Sequence, residues 1–258
     1  MIVLCYGMTK SGSTLTFELC RASLEARGHH QRRLSDAVMR SGHAGNFMGK
    51  PSPALIDQAL QELQDGERIA IKLHGLLDKD CRGHLDAAVA AGRCRVLVSY
   101  RDPRDVALSL LDAGARLRGE QPLADRGFAR FHDLQEAGLH VARQLQVCRN
   151  WASVRGALHL YYEDVAFEPL PVIERIGQQL GLARFEPAEL EAIHSLALER
   201  AEPLKNRAER QRHRQELSPE AGEALLTGLP GGQEFVERAC QARDYRWMAE
   251  DWGGGTAS

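Results

Sequence analysis

Short apolar runs stopped by glycine or a polar residue alternate along this chain with longer stretches of helical periodicity. Ile2 to Tyr6 is a continuous apolar run ended by Gly7, the pattern of a buried strand. Beyond a loop rich in glycine and serine, Leu15, Leu19, Ala22 and Ala26 recur at helical spacing, with Gly28 as the stop. Ser52 followed by Pro53 reads as an N-cap and a first helical residue, and predicts a helix to about Gly66. Arg68 to Lys72 predicts a second strand, Asp80 to Ala91 a helix, and Cys94 to Tyr100 a third strand. Asp102, Pro103 and Asp105 then look like cap, helix start and capping-box acid. Phe128 to Val154 carries sustained helical character, and Leu158 to Tyr161 predicts a fourth strand. The remainder reads as mainly helical: Leu170 to Leu180, Ala188 to Arg200 and a segment near Phe235.

Strands alternating with helices predict an α/β fold of three layers, P-loop-like, with a mostly parallel central sheet flanked by helices. A length of 258 residues suits a single domain. Within it, residues 2–165 hold the motifs, residues 166–250 read as a helical C-terminal part, and residues 251–258 as a disordered tail. In sheets of this kind ligands bind beyond the carboxyl ends of the strands. The notable polar residues of this chain lie at those ends.

Composition narrows the function classes. A formal net charge of −2 gives no global field for nucleic acid. The apolar run at the start enters the glycine loop by residue 7, so no signal peptide is expected, and no apolar run is long enough to span a membrane. The six cysteines lie far apart without a C-x-x-C pair, which suits reduced thiols in a cytoplasm better than disulfides or a zinc site. No metal is expected.

Four stretches carry candidate chemistry. The first is Gly7 to Thr14, GMTKSGST, which has the outline of the P-loop G-x-x-x-x-G-K-[ST] with Ser13 in the lysine position and a lysine at Lys10 instead. A strand entering such a turn before a helix points backbone N–H groups at an anion, and the helix dipole favours negative charge there. Ser11, Ser13 and Thr14 add hydroxyls; the plainer reading is a tight turn with a surface lysine. The second is Lys72 and His74, which fall on one side of a strand end. That pair suits base catalysis beside charge stabilisation, or is a surface lysine followed by a loop histidine. The third is RDPRDVALS, with Arg101 leaving a strand and Ser109 about two helical turns on. Arg104 there either reaches an anion or pairs with Asp105 or another acid. The fourth is the strand ending in Tyr162, Glu163 and Asp164, where Asp164 reads as a helix cap rather than a magnesium ligand. The basic stretch from Arg200 to Arg214 is either a solvated face or an anion-contacting lid.

Taken in order, these motifs resemble the sulfotransferases that use 3′-phosphoadenosine 5′-phosphosulfate (PAPS). YGMTKSGST resembles the family's Y-P-K-S-G-[ST]-T, KLH its K-x-H, RDPRDVALS its R-[ND]-P-[RK]-D-x-x-x-S, and YYED its Y-E-D. The resemblance spans about residues 2 to 165. It implies that Lys10, Ser11, Gly12, Ser13 and Thr14 hold the donor's 5′-phosphosulfate, and that Arg101 and Ser109 bind its 3′-phosphate. It implies His74 as general base, Lys72 and Lys10 as catalytic cations, Tyr162 near the nucleotide base, and 3′-phosphoadenosine 5′-phosphate (PAP) as product. The acceptor would be a hydroxyl or amine on a small molecule, sugar or lipid, and a homodimer is one expected assembly.

Two departures stand out. Many cytosolic members place tryptophan where this chain has Leu15, and carry a late R-K-G that clamps the 3′-phosphate. Here the stretch with Arg207, Arg210, Arg212 and Arg214 is the only obvious substitute. Phe47, Met48, Phe128, Phe131 and Trp151 are candidates for an acceptor pocket, with Phe128 and Phe131 more in keeping with core. Two other functions compete: a P-loop kinase or nucleoside-triphosphatase, which predicts lysine at position 13, and a non-catalytic nucleotide-binding protein.

Overall fold

The computed structural model describes residues 1–43, 45–119, 127–201 and 208–243. Its centre is a five-stranded parallel sheet in the order β2-β3-β1-β4-β5: β1 Ile2–Gly7, β2 Phe47–Met48, β3 Ile69–Leu73, β4 Cys94–Tyr100 and β5 Leu158–Tyr161. The expected α/β class is the observed one. β1 reads as an unbroken apolar run because the sheet is covered on both faces. Its side chains alternate between two cores: Ile2, Leu4 and Tyr6 enter one, Val3 and Cys5 the other.

Helices α1 (Ser13–Glu25), α7 (Pro169–Gln179) and α8 (Pro187–Ala201) cover one face, through Leu19, Ile173, Ile176 and Ile193. On the other lie α2 (Pro53–Gln61), α3 (Lys79–Ala90), α4 (Pro103–Gly119) and α5 (Leu134–Ala152), through Ile56, Leu85, Leu110 and Leu145. Trp151 of α5 stacks on Tyr6 with ring centroids 5.4 Å apart, which ties the helix layer to the central strand. A short helix α6 (Tyr162–Phe167) follows β5. Two more, α9 (His213–Glu216) and α10 (Pro219–Thr227), precede a π-helical segment, Phe235–Gln241.

Three elements differ from expectation. β2 was not expected; two residues give no periodicity to read, and Asn46 helps hold that edge by accepting from Lys72 N through its carbonyl. α2 ends at Gln61 rather than near Gly66. Just beyond it, the Glu67 carboxylate captures Gln64 N, and Gly66 turns the chain at φ 75°. α5 begins at Leu134, because the Asp133 side chain caps it by accepting from Glu136 N, and residues 127–130 form turns. Met48, Phe131 and Trp151 are fully buried in the core, so these three do not line an acceptor pocket. No described helix is long and apolar enough to cross a membrane.

Candidate active site

Strand register sets the site. Cys5 and Tyr6 of β1 lie opposite Lys72 and Leu73, Gly7 lies opposite Ser99, and Tyr100 opposite Tyr161. The strands therefore end at one level. The loop after β1, His74 after β3, Arg101 after β4 and Tyr162 after β5 all emerge at the same edge.

The loop itself is closely packed. A Cβ on Gly7 would come within 2.3 Å of Ser13 Cβ and 2.4 Å of Ser99 Oγ, so only glycine lets β1 pass so close to the start of α1. Gly12 has φ 76°, and a Cβ there would meet the Tyr162 ring at 2.9 Å. Lys10 also takes a left-handed conformation, φ 64°, at a typical cost of about 1–2 kcal/mol for a residue with a Cβ. The Ser11 hydroxyl is turned inward, donating to Met8 O at 2.7 Å, and Ser11 is completely buried. Its backbone N–H also donates to Met8 O. Ser11 thus pins the loop to the sheet, and the outward donors come from its neighbours. α1 starts without a side-chain cap, so its first N–H groups face outward from an uncapped dipole.

Lys72 donates to Thr14 Oγ1 across 2.6 Å. Burial holds its ammonium at a pKa of about 8, against the opposing pull of Glu18. His74 Nδ1 lies 2.6 Å from the Gly7 carbonyl. A carbonyl only accepts, so Nδ1 carries the hydrogen. Burial and the Lys72 charge lower the His74 pKa to about 4, which leaves the imidazole neutral with its free lone pair on Nε2. Lys10 Nζ sits 5.6 Å over the Phe128 ring, and burial first, then Arg116, lowers its pKa. Phe47 tilts against His74 with centroids 5.8 Å apart, so of the five candidate pocket residues Phe47 and Phe128 lie beside the site.

On the far side of the loop, Arg101 is 2 % exposed and stacks 3.9 Å over the Tyr162 ring. The ring is thus held between Gly12 and a guanidinium. Arg101 Nε makes no hydrogen bond; it lies 3.6 Å from Asp105 Oδ2. Arg101, Asp105 and Ser109 follow one another at intervals of four, and the Ser109 side chain is buried on α4. Asp105 does not close a capping box. Its Oδ1 accepts from His213 N at 2.9 Å and pairs with His213 Nδ1 at 2.8 Å. Arg104 pairs with Asp102 at 2.7 Å rather than with Asp105. Asp164 pairs with Arg243 at 3.1 Å and does not cap α6.

The late basic stretch divides. Arg207 lies outside the described residues. Arg212 is 1 % exposed, and its guanidinium is shared by Asp112 at 2.9 Å and Glu216 at 2.7 Å. Arg210 lies on the Phe167 ring and beside Glu168, while Arg214 is exposed. Arg212 therefore locks the segment onto α4, and with Arg101 donating to Glu209 O at 3.3 Å the segment closes over the Arg101 side. Leu15 packs against the core of the α1 face. Two residues that sequence reasoning missed are Gln144, which accepts from the loop at Thr9, and His213; their partners are 135 and 108 positions away.

Solved structures that match this chain include a mouse sulfotransferase complexed with PAP, at 17 % identity and a TM-score of 0.49, with 97 % of this chain and 88 % of that chain covered. A retinol dehydratase in complex with androsterone and inactive cofactor PAP matches at 15 % identity and 0.49, covering 94 % of this chain and 81 % of that one. A sulfotransferase from Alicyclobacillus acidocaldarius matches at 15 % and 0.37, covering 78 % and 94 %. No curated protein sequence matches. The sulfotransferase domain model matches residues 2–216, from the first strand through α9 and across every element of the site, and the chain belongs to the sulfotransferase domain family.

Proposed function

We propose that this sulfotransferase moves a sulfonate group from PAPS to a hydroxyl or amine of a small-molecule, sugar or lipid acceptor, with His74 as general base. The observation that carries the reading is the Nδ1–H bond from His74 to Gly7 O, which presents a neutral imidazole with its base nitrogen free at the mouth of the anion-binding loop.

The residues fit an anionic donor. α1 offers an uncapped N-terminus, and glycine at positions 7 and 12 lets the loop pack closely against Ser13, Ser99 and the Tyr162 ring. Lys10 lies in the loop, Lys72 reaches it at Thr14, and Arg101 keeps an unbonded Nε in a buried setting. PAPS supplies an activated sulfonate with a phosphate as leaving group. Around it, Lys10, Gly12, Ser13 and Thr14 hold the 5′ end, with Ser11 fixing the loop beneath them. Arg101 and Ser109 hold the 3′-phosphate, and Tyr162 sits beside the nucleoside. Lys72 steadies the negative charge that gathers during transfer, and His74 Nε2 takes the acceptor proton. Phe47 and Phe128 border the acceptor side. All six cysteines are free and buried, which supports a reducing, cytoplasmic setting.

Calorimetric titration of adenosine 3′,5′-bisphosphate against ATP–Mg²⁺ tests the donor. Tight ATP binding with no bisphosphate binding would overturn the reading in favour of a nucleotide kinase. Labelled-sulfate transfer over phenols, sugars and lipids tests turnover; inactivity throughout, with the bisphosphate bound, would favour a non-catalytic binder.

A further inference from the structure

Besides Lys72 on Thr14 and His74 on Gly7, the anion loop is held by a side chain from the helix layer. Gln144, half-buried on α5, accepts through Oε1 from both Thr9 N at 3.1 Å and Thr9 Oγ1 at 3.2 Å. Thr9 directly precedes Lys10, whose left-handed φ of 64° is unfavourable for a residue with a Cβ. The family pattern has proline at the Thr9 position, which fixes φ and has no N–H to satisfy. Threonine at that place restores a backbone donor and a wider range of φ. Both of the Thr9 donors end on the same amide oxygen. That oxygen belongs to the helix whose Trp151 stacks on Tyr6 of β1, so the acceptor is carried by a rigid element.

We infer that Gln144 is a positioning residue for the donor site: by anchoring Thr9 it does the work of a proline and holds Lys10 and the following N–H groups in their donor-binding conformation. The inference rests on the phosphosulfate reading of the loop. Gln144 itself need not touch the donor; it acts through Thr9.

The test is a double-mutant cycle read by titration of adenosine 3′,5′-bisphosphate. Gln144→Ala is expected to weaken binding about tenfold, the scale set by losing one to two neutral hydrogen bonds from a partly buried loop. It should raise the donor KM more than it lowers kcat. In a Thr9→Pro background, where the backbone donor is absent and φ is fixed, the same Gln144→Ala change should cost little further. Gln144→Glu restores an acceptor but adds a negative charge near the donor, so its bisphosphate affinity should recover as the pH falls through the carboxylate range. If Thr9→Pro fails to fold, Thr9→Val with its intact N–H should retain part of the Gln144 effect. Equal bisphosphate affinity in the native protein and Gln144→Ala would overturn the inference alone. No bisphosphate binding by the native protein would overturn the donor reading and this inference with it.

Discussion

The Lys72 ammonium donates to the Thr14 hydroxyl across 2.6 Å, so a cation from β3 closes directly on the first turn of α1. Its pKa of about 8 and that of His74, about 4, bracket the range in which Lys72 is charged and His74 is neutral. A plot of kcat/KM against pH should therefore be a plateau falling below the His74 value and above the Lys72 value. Lys72→Arg keeps its charge at high pH and should move the alkaline fall upward. An alkaline limb unmoved in that variant would show that Lys72 does not set it.

Removing the proposed base should separate binding from turnover. His74→Ala is expected to lower kcat by about 10²- to 10⁴-fold while bisphosphate affinity changes little. Single-turnover rates and calorimetry on the same sample check this. A loss confined to binding would assign His74 to the loop's structure instead.

Arg101 is stacked on Tyr162 and buried to 2 % exposure, which suits the proposed recognition of a phosphate by shape as well as charge. Arg101→Lys should weaken adenosine 3′,5′-bisphosphate by roughly tenfold or more, because lysine neither stacks nor forks. Adenosine 5′-monophosphate, which lacks the 3′ group, should lose much less. Equal losses for the two ligands would place Arg101 away from the 3′-phosphate.

Gly7→Ala puts a methyl group 2.3 Å from Ser13 Cβ, between a strand and a helix that are both fixed. Overpacking of this kind costs about 1–3 kcal/mol, and should appear as a lower denaturant midpoint. Donor affinity should fall too, since α1 must shift. Gly28→Ala is a control for the mere loss of a glycine: φ is 78° there but nothing lies within 4 Å. It should destabilise through backbone strain alone and spare donor binding.

Burial holds His74, His140 and His159 each at a pKa of about 4, below the value of about 6.5 typical of an unfolded chain. Between those values the unfolded state binds more protons, so stability rises with pH and falls as the solution is acidified from about 6.5 towards 4. Thermal midpoints measured across that window should drop on acidification, and His159→Gln should shallow the slope. A slope unchanged in that variant would remove His159 from the account.

What the sequence discloses here is what is local. Cys94–Tyr100 is a strand at its expected bounds because burial on both faces writes itself into consecutive residues. Ser52 caps α2 as expected, its hydroxyl accepting from Leu55 N three residues on. The loop and the candidate residues at the strand ends were equally visible, since parallel register brings strand ends together. Among the charged residues of the site, the differences from expectation are pairings. Asp105 reads as a capping-box acid, but its partner is His213, 108 positions away. Arg212 is one of four arginines in a stretch read as a solvated face or an anion-contacting lid, and Asp112 and Glu216 hold it. A carboxylate's choice among several arginines depends on tertiary packing, which one-dimensional spacing does not contain.

The place of β1 in the sheet has a consequence for how the protein is made. The strand nearest the N-terminus lies between β3 and β4, so its two neighbours are Ile69–Leu73 and Cys94–Tyr100. During synthesis its six buried residues emerge before either partner, with each hydrogen-bonding edge open meanwhile. Parallel pairing over such separations closes late. The nascent chain thus carries an apolar strand unpaired on one edge until about Tyr100 has cleared the ribosome, an interval in which exposed strand edges favour aggregation.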